Sequence, residues 1–135
     1  MRVLLVHNYY GTSAPSGENL AFELERDLLL RGGHEVRTFA RHSDALRGPG
    51  WRGWLGALRG AAATPWNPLA AAALRREVKA FRPEVVHAHN TFPLLSPAIF
   101  QAVPAPVARV LTLHNYCLYC PAGIPARSGR ICTEC

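Results

Sequence analysis

Six histidines and four cysteines carry most of the chemistry available to this 135-residue chain. The dipeptide His-Asn occurs three times, at His7-Asn8, His89-Asn90 and His114-Asn115, each time after a short apolar run. One such histidine alone reads as a hydrogen-bonded structural residue. Three that end three strands are harder to attribute to packing, because in a parallel sheet they converge on one rim. The cysteines Cys117, Cys120, Cys132 and Cys135 are spaced C-x2-C-x11-C-x2-C. Two such pairs can supply four thiolates to a tetrahedral zinc ion, and the Gly/Pro-rich spacer between them can turn back as a ribbon. A four-thiolate shell is closed, so zinc at residues 117–135 would be structural. The same cysteines also read as buried or redox-sensitive thiols.

The elements that position these residues alternate between strand and helix. Arg2 to His7 reads as a strand buried on both faces. A loop punctuated by Gly11 and Gly17 follows, and from Asn19 Leu20, Phe22, Leu24, Leu28 and Leu29 recur at helical spacing up to Gly32-Gly33. A strand that turns directly into a helix leaves backbone N–H groups facing the loop at Ser16-Gly17, which suits a phosphate or carboxylate. The two glycines lie six apart, not in a dinucleotide G-x-G-x-x-G pattern, so an ordinary strand-to-helix turn explains the loop equally well. Glu35 to Phe39 predicts a second strand.

Residues 42–68 are rich in Gly, Pro and Trp. Trp51, Trp54, Leu55 and Leu58 beside Arg47, Arg52 and Arg59 fit a membrane-interface surface. We expect instead a long loop with one helical turn whose tryptophans fold back onto the domain, because Gly50, Gly53 and Gly56 weaken a helix. Asn67-Pro68 caps and opens a helix with Leu69, Ala73, Leu74, Val78 and Phe81 as its apolar stripe, ended by Arg82-Pro83. Glu84 to His89 is a third strand, residues 93–103 a further helix, and Arg109 to Leu113 a last strand. This order predicts an α/β fold, a Rossmann-like doubly wound parallel sheet with a Cys-rich C-terminal loop.

Hydrophobic residues make up 49% of the chain and charged ones 18%, which excludes disorder. No apolar run reaches the roughly 18 residues that span a bilayer, and the N-terminus is no secretory signal, so a cytoplasmic setting is the default. Fourteen arginines and one lysine, Lys79, set against nine acids give a net charge of +6. A basic surface raises the odds of anionic partners: nucleotide diphosphates, anionic lipid or nucleic acid. The arginines are scattered and no aromatic-basic RNA motif appears, which argues against nucleic acid.

The segments RVLLVHNYY, PSGEN, LLRGGHEV, RPEVVHAHN and VLTLHNYCLYCP together resemble the N-terminal half of family-four retaining glycosyltransferases of the GT-B type. The resemblance runs over nearly all of residues 1–135 and is weakest between His42 and Pro68. It implies an acceptor-side domain facing a donor-binding domain across a cleft, and transfer of a sugar from a nucleotide-diphosphate sugar with retained configuration. It also implies a sugar or lipid-linked acceptor, possible attachment at the inner membrane face, and no cofactor for catalysis. On that basis Ser16 and Gly17 approach the donor phosphates, His114 lies at the catalytic centre, and His89, Asn90 and Asn115 line the acceptor side. The family's donor domain, with its E-x7-E pattern, is absent from these residues, so the expectation is a C-terminally truncated half that is inactive alone. Two alternatives remain: a non-catalytic relic, and a small zinc-ribbon-bearing binding module.

Overall fold

The computed structural model describes residues 1–11, 16–46, 50–116, 119–120 and 122–133, with only the backbone of residues 45 and 52. Its centre is strand β1 (Arg2–Tyr9), in which six consecutive residues, from Val3 to Asn8, are buried. Such a strand must have neighbours on both edges and cover on both faces. Helix α1 (Gly17–Arg31) leads to β2 (Glu35–His42), and helix α3 (Pro68–Phe81) leads to β3 (Val85–Asn90). After a 3-10 helix at Pro97–Ala102 comes β4 (Ala108–Leu111). The four strands form one parallel sheet in the order β2-β1-β3-β4, the doubly wound architecture expected. The order reverses between β1 and β3, and in such sheets the crevice at that reversal is where ligands bind.

The two faces of the sheet are unequally filled. On one, α3 and the 3-10 helix bury Leu74, Val78, Phe81, Leu95 and Ile99 against Leu4, Val6 and Val86. On the other, α1 seals a cluster of only Val3, Leu5 and Phe22, with Tyr9, Leu29, Val36 and Val85 around it. The helix is present, yet its leucines do not form the expected inward stripe. Phe22 is its one buried residue, and Leu20, Leu24 and Leu28 are all more than half exposed. The inward face carries Glu18, Phe22, Glu25 and Leu29, at i, i+4, i+7 and i+11.

Three further expectations are corrected. Residues 51–63 form a full helix, α2 (Trp51–Ala63), not one turn in a loop. Its glycines are contact points: a Cβ on Gly56 would stand 2.2 Å from the Leu46 carbonyl oxygen, and one on Gly60 would stand 2.7 Å from the Leu46 side chain. The helix therefore docks by its glycine face on the 3-10 helix Ser43–Leu46, and Trp51 and Trp54 stay 68% and 65% exposed instead of folding back. In α3, Asn67 caps as expected, its Oδ1 accepting from Ala70 N at 3.0 Å, but Leu69 is 78% exposed. The inward residues are Ala70, Ala71, Leu74, Val78 and Phe81. Residues 93–103 adopt a turn and the 3-10 helix instead of an α-helix, because Ser96 takes a positive φ of 61° and Pro97 restarts the chain there.

β4 is shorter than expected and is an edge strand with every residue exposed. Beyond it, β5 (Ala126–Arg127) and β6 (Arg130–Ile131) form an antiparallel hairpin through Ser128-Gly129, both at positive φ. The spacer between the cysteine pairs thus does turn back. Among the described residues, no helix is long and apolar enough to cross a membrane.

Candidate functional site at the strand ends

The three His-Asn pairs do meet. His7 and His89 leave β1 and β3 with ring centroids 6.4 Å apart, and His114, three residues past β4, stacks on His89 at 5.3 Å. They lie beside a cavity of about 300 Å³ at the carboxyl ends of the strands, at the β1/β3 reversal. His89, Asn90, His114 and Asn115 all line it, and Glu18 from the first turn of α1 closes one side.

The polar partners distinguish these residues. Asn90 Nδ2 donates to Asn8 O at 3.0 Å, and its Oδ1 accepts from Phe92 N at 3.1 Å. Its amide is thus spent on holding the loop after β3 against β1. Asn115 Nδ2 donates to Glu18 Oε1 at 2.9 Å, tying the loop after β4 to the start of α1. Among the described residues Glu18 Oε2 is buried with no hydrogen-bond partner, on a side chain that lines the cavity. His7 pairs through Nε2 with Asn19 Oδ1 at 2.8 Å and stacks on Phe22 at 4.6 Å.

Behind His114 lies a polar chain that the sequence did not disclose. His89 Nδ1 is 3.1 Å from His114 Nε2, and His89 Nε2 is 3.1 Å from Glu25 Oε2. The other Glu25 oxygen, Oε1, is 2.6 Å from His87 Nδ1, while His87 Nε2 is 2.7 Å from Thr112 Oγ1. Satisfying these contacts assigns the protons. The Glu25 carboxylate faces Nδ1–H of His87 and lies near Nε2–H of His89, out of hydrogen-bond alignment with it. His89 Nδ1 then accepts from His114 Nε2–H, which leaves His114 Nδ1 as a hydrogen-bond acceptor. Burial first, and then the neighbouring imidazoles of His87, His114 and His7, lower the pKa of His89 to about 4, so the ring is neutral at pH 7. Burial is also the main cause lowering the pKa of His7.

Ser16 and Gly17 sit where expected, at the N-terminus of α1. The Ser16 side chain makes no cap, and a Cβ on Gly17 would meet nothing within 4 Å. Among the described residues, neither internal packing nor a positive φ demands glycine there. Of the cysteines, Cys120 and Cys132 are free thiols, and Cys120 Sγ lies 3.5 Å from Ile124 O. Cys117 and Cys135 lie outside the described residues.

Sequence reasoning gave no site role to Thr112, nor to Glu18 and Glu25. The available signal was their seven-residue spacing on the face that carries Phe22.

A doubly wound sheet with polar groups gathered at its reversal defines a ligand-binding α/β domain. A family model described as glycosyltransferase family 4 matches residues 17–131, and the chain belongs to that family. No curated protein and no solved structure gives a significant match. The membership implies a glycosyltransferase-like role with a sugar-related donor or acceptor.

Proposed function

We propose that this domain forms the acceptor-side wall of a GT-B glycosyltransferase that transfers a sugar from a nucleotide diphosphate with retained configuration. The observation that carries this reading is the meeting of His114, Asn115 and Glu18, from the first turn of α1, around one cavity. The donor diphosphate approaches the backbone at Ser16 and Gly17, where the helix end offers N–H donors and partial positive charge. His114 stands at the reacting centre and presents Nδ1 to a hydroxyl hydrogen. Glu18 Oε2 accepts a second sugar hydroxyl, and Asn115 holds Glu18 in place. His89 acts behind His114 and fixes its tautomer, whereas Asn90 shapes the acceptor wall with an amide already bound to backbone. A second domain bearing the nucleotide site supplies the opposite wall, and this one alone does not turn over. The setting is cytoplasmic, and Cys117, Cys120, Cys132 and Cys135 hold a structural zinc that pins the loop after His114.

Helix α2 favours contact with a membrane surface. Its glycine face is docked, and Trp51, Trp54, Leu55 and Leu58 face outward with Arg59 at their flank. Tryptophan and leucine beside arginine suit the headgroup boundary, which would bring a lipid-linked acceptor to the cavity.

The test is substitution of His114 by alanine in a form of the protein that carries the donor domain and transfers sugar. Transfer is expected to be abolished while the circular dichroism spectrum is unchanged. Turnover within a few-fold of the parent would refute the assignment.

A further inference from the structure

We propose that Glu25, His87 and His89 form a binding site for a borderline divalent metal such as zinc, and that the metal sets the tautomer of His114. The three residues each offer one ligand atom, and these atoms all lie within 4.8 Å of one another. Tetrahedral zinc with bonds near 2.0 Å needs ligand atoms about 3.3 Å apart. His89 Nε2 and Glu25 Oε2 are at 3.1 Å already; the 2.6 Å contact between His87 Nδ1 and Glu25 Oε1 must open, and any pair of ligand atoms toward the 4.8 Å limit must close by roughly 1 Å or a little more. Two imidazoles and one carboxylate are a ligand set for zinc or cobalt, with a fourth position left for water.

Two observations go beyond proximity. His89 Nε2 is buried, on a side chain only 2% exposed; it lies 3.1 Å from Glu25 Oε2 but out of hydrogen-bond alignment, and among the described residues it has no hydrogen-bond partner. A buried polar atom without a partner is costly, and a metal would satisfy it. The second nitrogen of each imidazole already has its outer partner: His87 Nε2 faces Thr112 Oγ1, and His89 Nδ1 faces His114 Nε2. Metal-bound histidines nearly always direct the other ring N–H to such a partner, which orients the ring. The site is reachable, since the Glu25 and His87 side chains are 29% and 14% exposed and the neighbouring edge strand β4 is exposed along its length.

Binding moves protons in a defined way. With His89 Nε2 on the metal, the ring proton must sit on Nδ1 and be donated to His114 Nε2. His114 then carries its own proton on Nδ1. The nitrogen it offers to the cavity changes from acceptor to donor, with no change in charge on either ring. The site itself stands independently of the proposed transfer reaction.

The experiment uses the 135-residue chain with Cys117, Cys120, Cys132 and Cys135 all replaced by serine, so that thiolates cannot answer for the result. After removal of metal by a chelator, Co²⁺ is titrated and the visible spectrum followed, and Zn²⁺ is titrated against ¹⁵N-histidine imidazole resonances. The expected result is one Co²⁺ per chain with the intense visible bands of a low-symmetry site. With Zn²⁺, His87 Nδ1 and His89 Nε2 should shift, and His114 should exchange its protonated nitrogen. Glu25→Gln with His87→Asn should weaken binding on the order of 100-fold or more. Should that double variant not fold, the imidazole spectra of the serine variant decide alone. Absence of binding at about 100 µM metal, or zinc binding that leaves the His87 and His89 resonances unmoved, would overturn the proposal.

Discussion

Replacing Phe22 by alanine tests how helix α1, and with it the candidate site, is held in place. Phe22 is the one buried residue of that helix. Its ring stacks on His7 at 4.6 Å and meets Tyr9 and His89 edge-on at 5.7 and 5.5 Å. Truncating a buried phenylalanine to alanine costs about 3–5 kcal/mol, and lost aromatic contacts put this site toward the upper half of that range. The loss should not spread evenly. The opposite face of the sheet has its own larger core around Leu74, Val78 and Ile99, which contains no residue of α1. Hydrogen exchange followed by mass spectrometry is therefore expected to show peptides from Gly17–Arg31 exchanging about 100-fold faster or more. Peptides from β3 and α3 should change far less. A loss of under about 1 kcal/mol in urea unfolding would refute the reasoning, because Phe22 would not then anchor the helix. Equal acceleration in α1 and α3 would refute it differently, by showing that the two faces unfold as one.

Two further outcomes follow from exposure and charge. The chain should co-sediment with vesicles containing anionic lipid, and Trp51→Ser with Trp54→Ser should reduce the bound fraction about tenfold without lowering thermal stability; unchanged sedimentation would remove α2 as the contact. In metal-free protein, acid should destabilise the fold through His89, which faces Glu25 on α1, His7 on β1, His87 on β3 and His114 after β4. Its pKa is lowered from 6.5 to about 4, so the unfolded chain takes up the proton first. Stability is full above pH 6.5 and falls as pH drops toward 4, by up to about 2 kcal/mol at pH 5. Urea unfolding of His89→Gln should lack that component, and an identical pH profile in parent and variant would exclude His89 as its source.

How far the sequence disclosed this arrangement depends on what each signal measures. The run RVLLVH could only be a strand buried on both faces, and it became the central one. Asn67-Pro68 and Arg82-Pro83 bounded α3 because capping and proline act locally. Convergence of His7, His89 and His114 was legible for a similar reason: in a parallel sheet, strand ends lie on one edge by construction. Helix faces were less legible. In α1 the leucines outnumbered Phe22, yet the face bearing Glu18, Phe22, Glu25 and Leu29 lies on the sheet, where Glu25 stands between His87 and His89. That pairing joins residues more than sixty positions apart, and no local pattern encodes it. The glycines of α2 misled in the opposite direction. Gly56, read as a helix breaker, is where the helix approaches the Leu46 backbone too closely for any side chain, and Gly60 packs on the Leu46 side chain.

The central claim is that a nucleotide diphosphate sugar meets this domain at the strand ends, between α1 and the loop after β4. It is tested most directly by ¹H–¹⁵N correlation spectra of the 135-residue chain titrated with UDP-glucose and GDP-mannose to several millimolar, a range that detects a half-site. The account predicts shifts concentrated at Gly17, Glu18, His114 and Asn115. Shifts confined to the basic hollow at the opposite end of the sheet, around Arg75, Lys79 and Arg82, or no shifts at all, would contradict it.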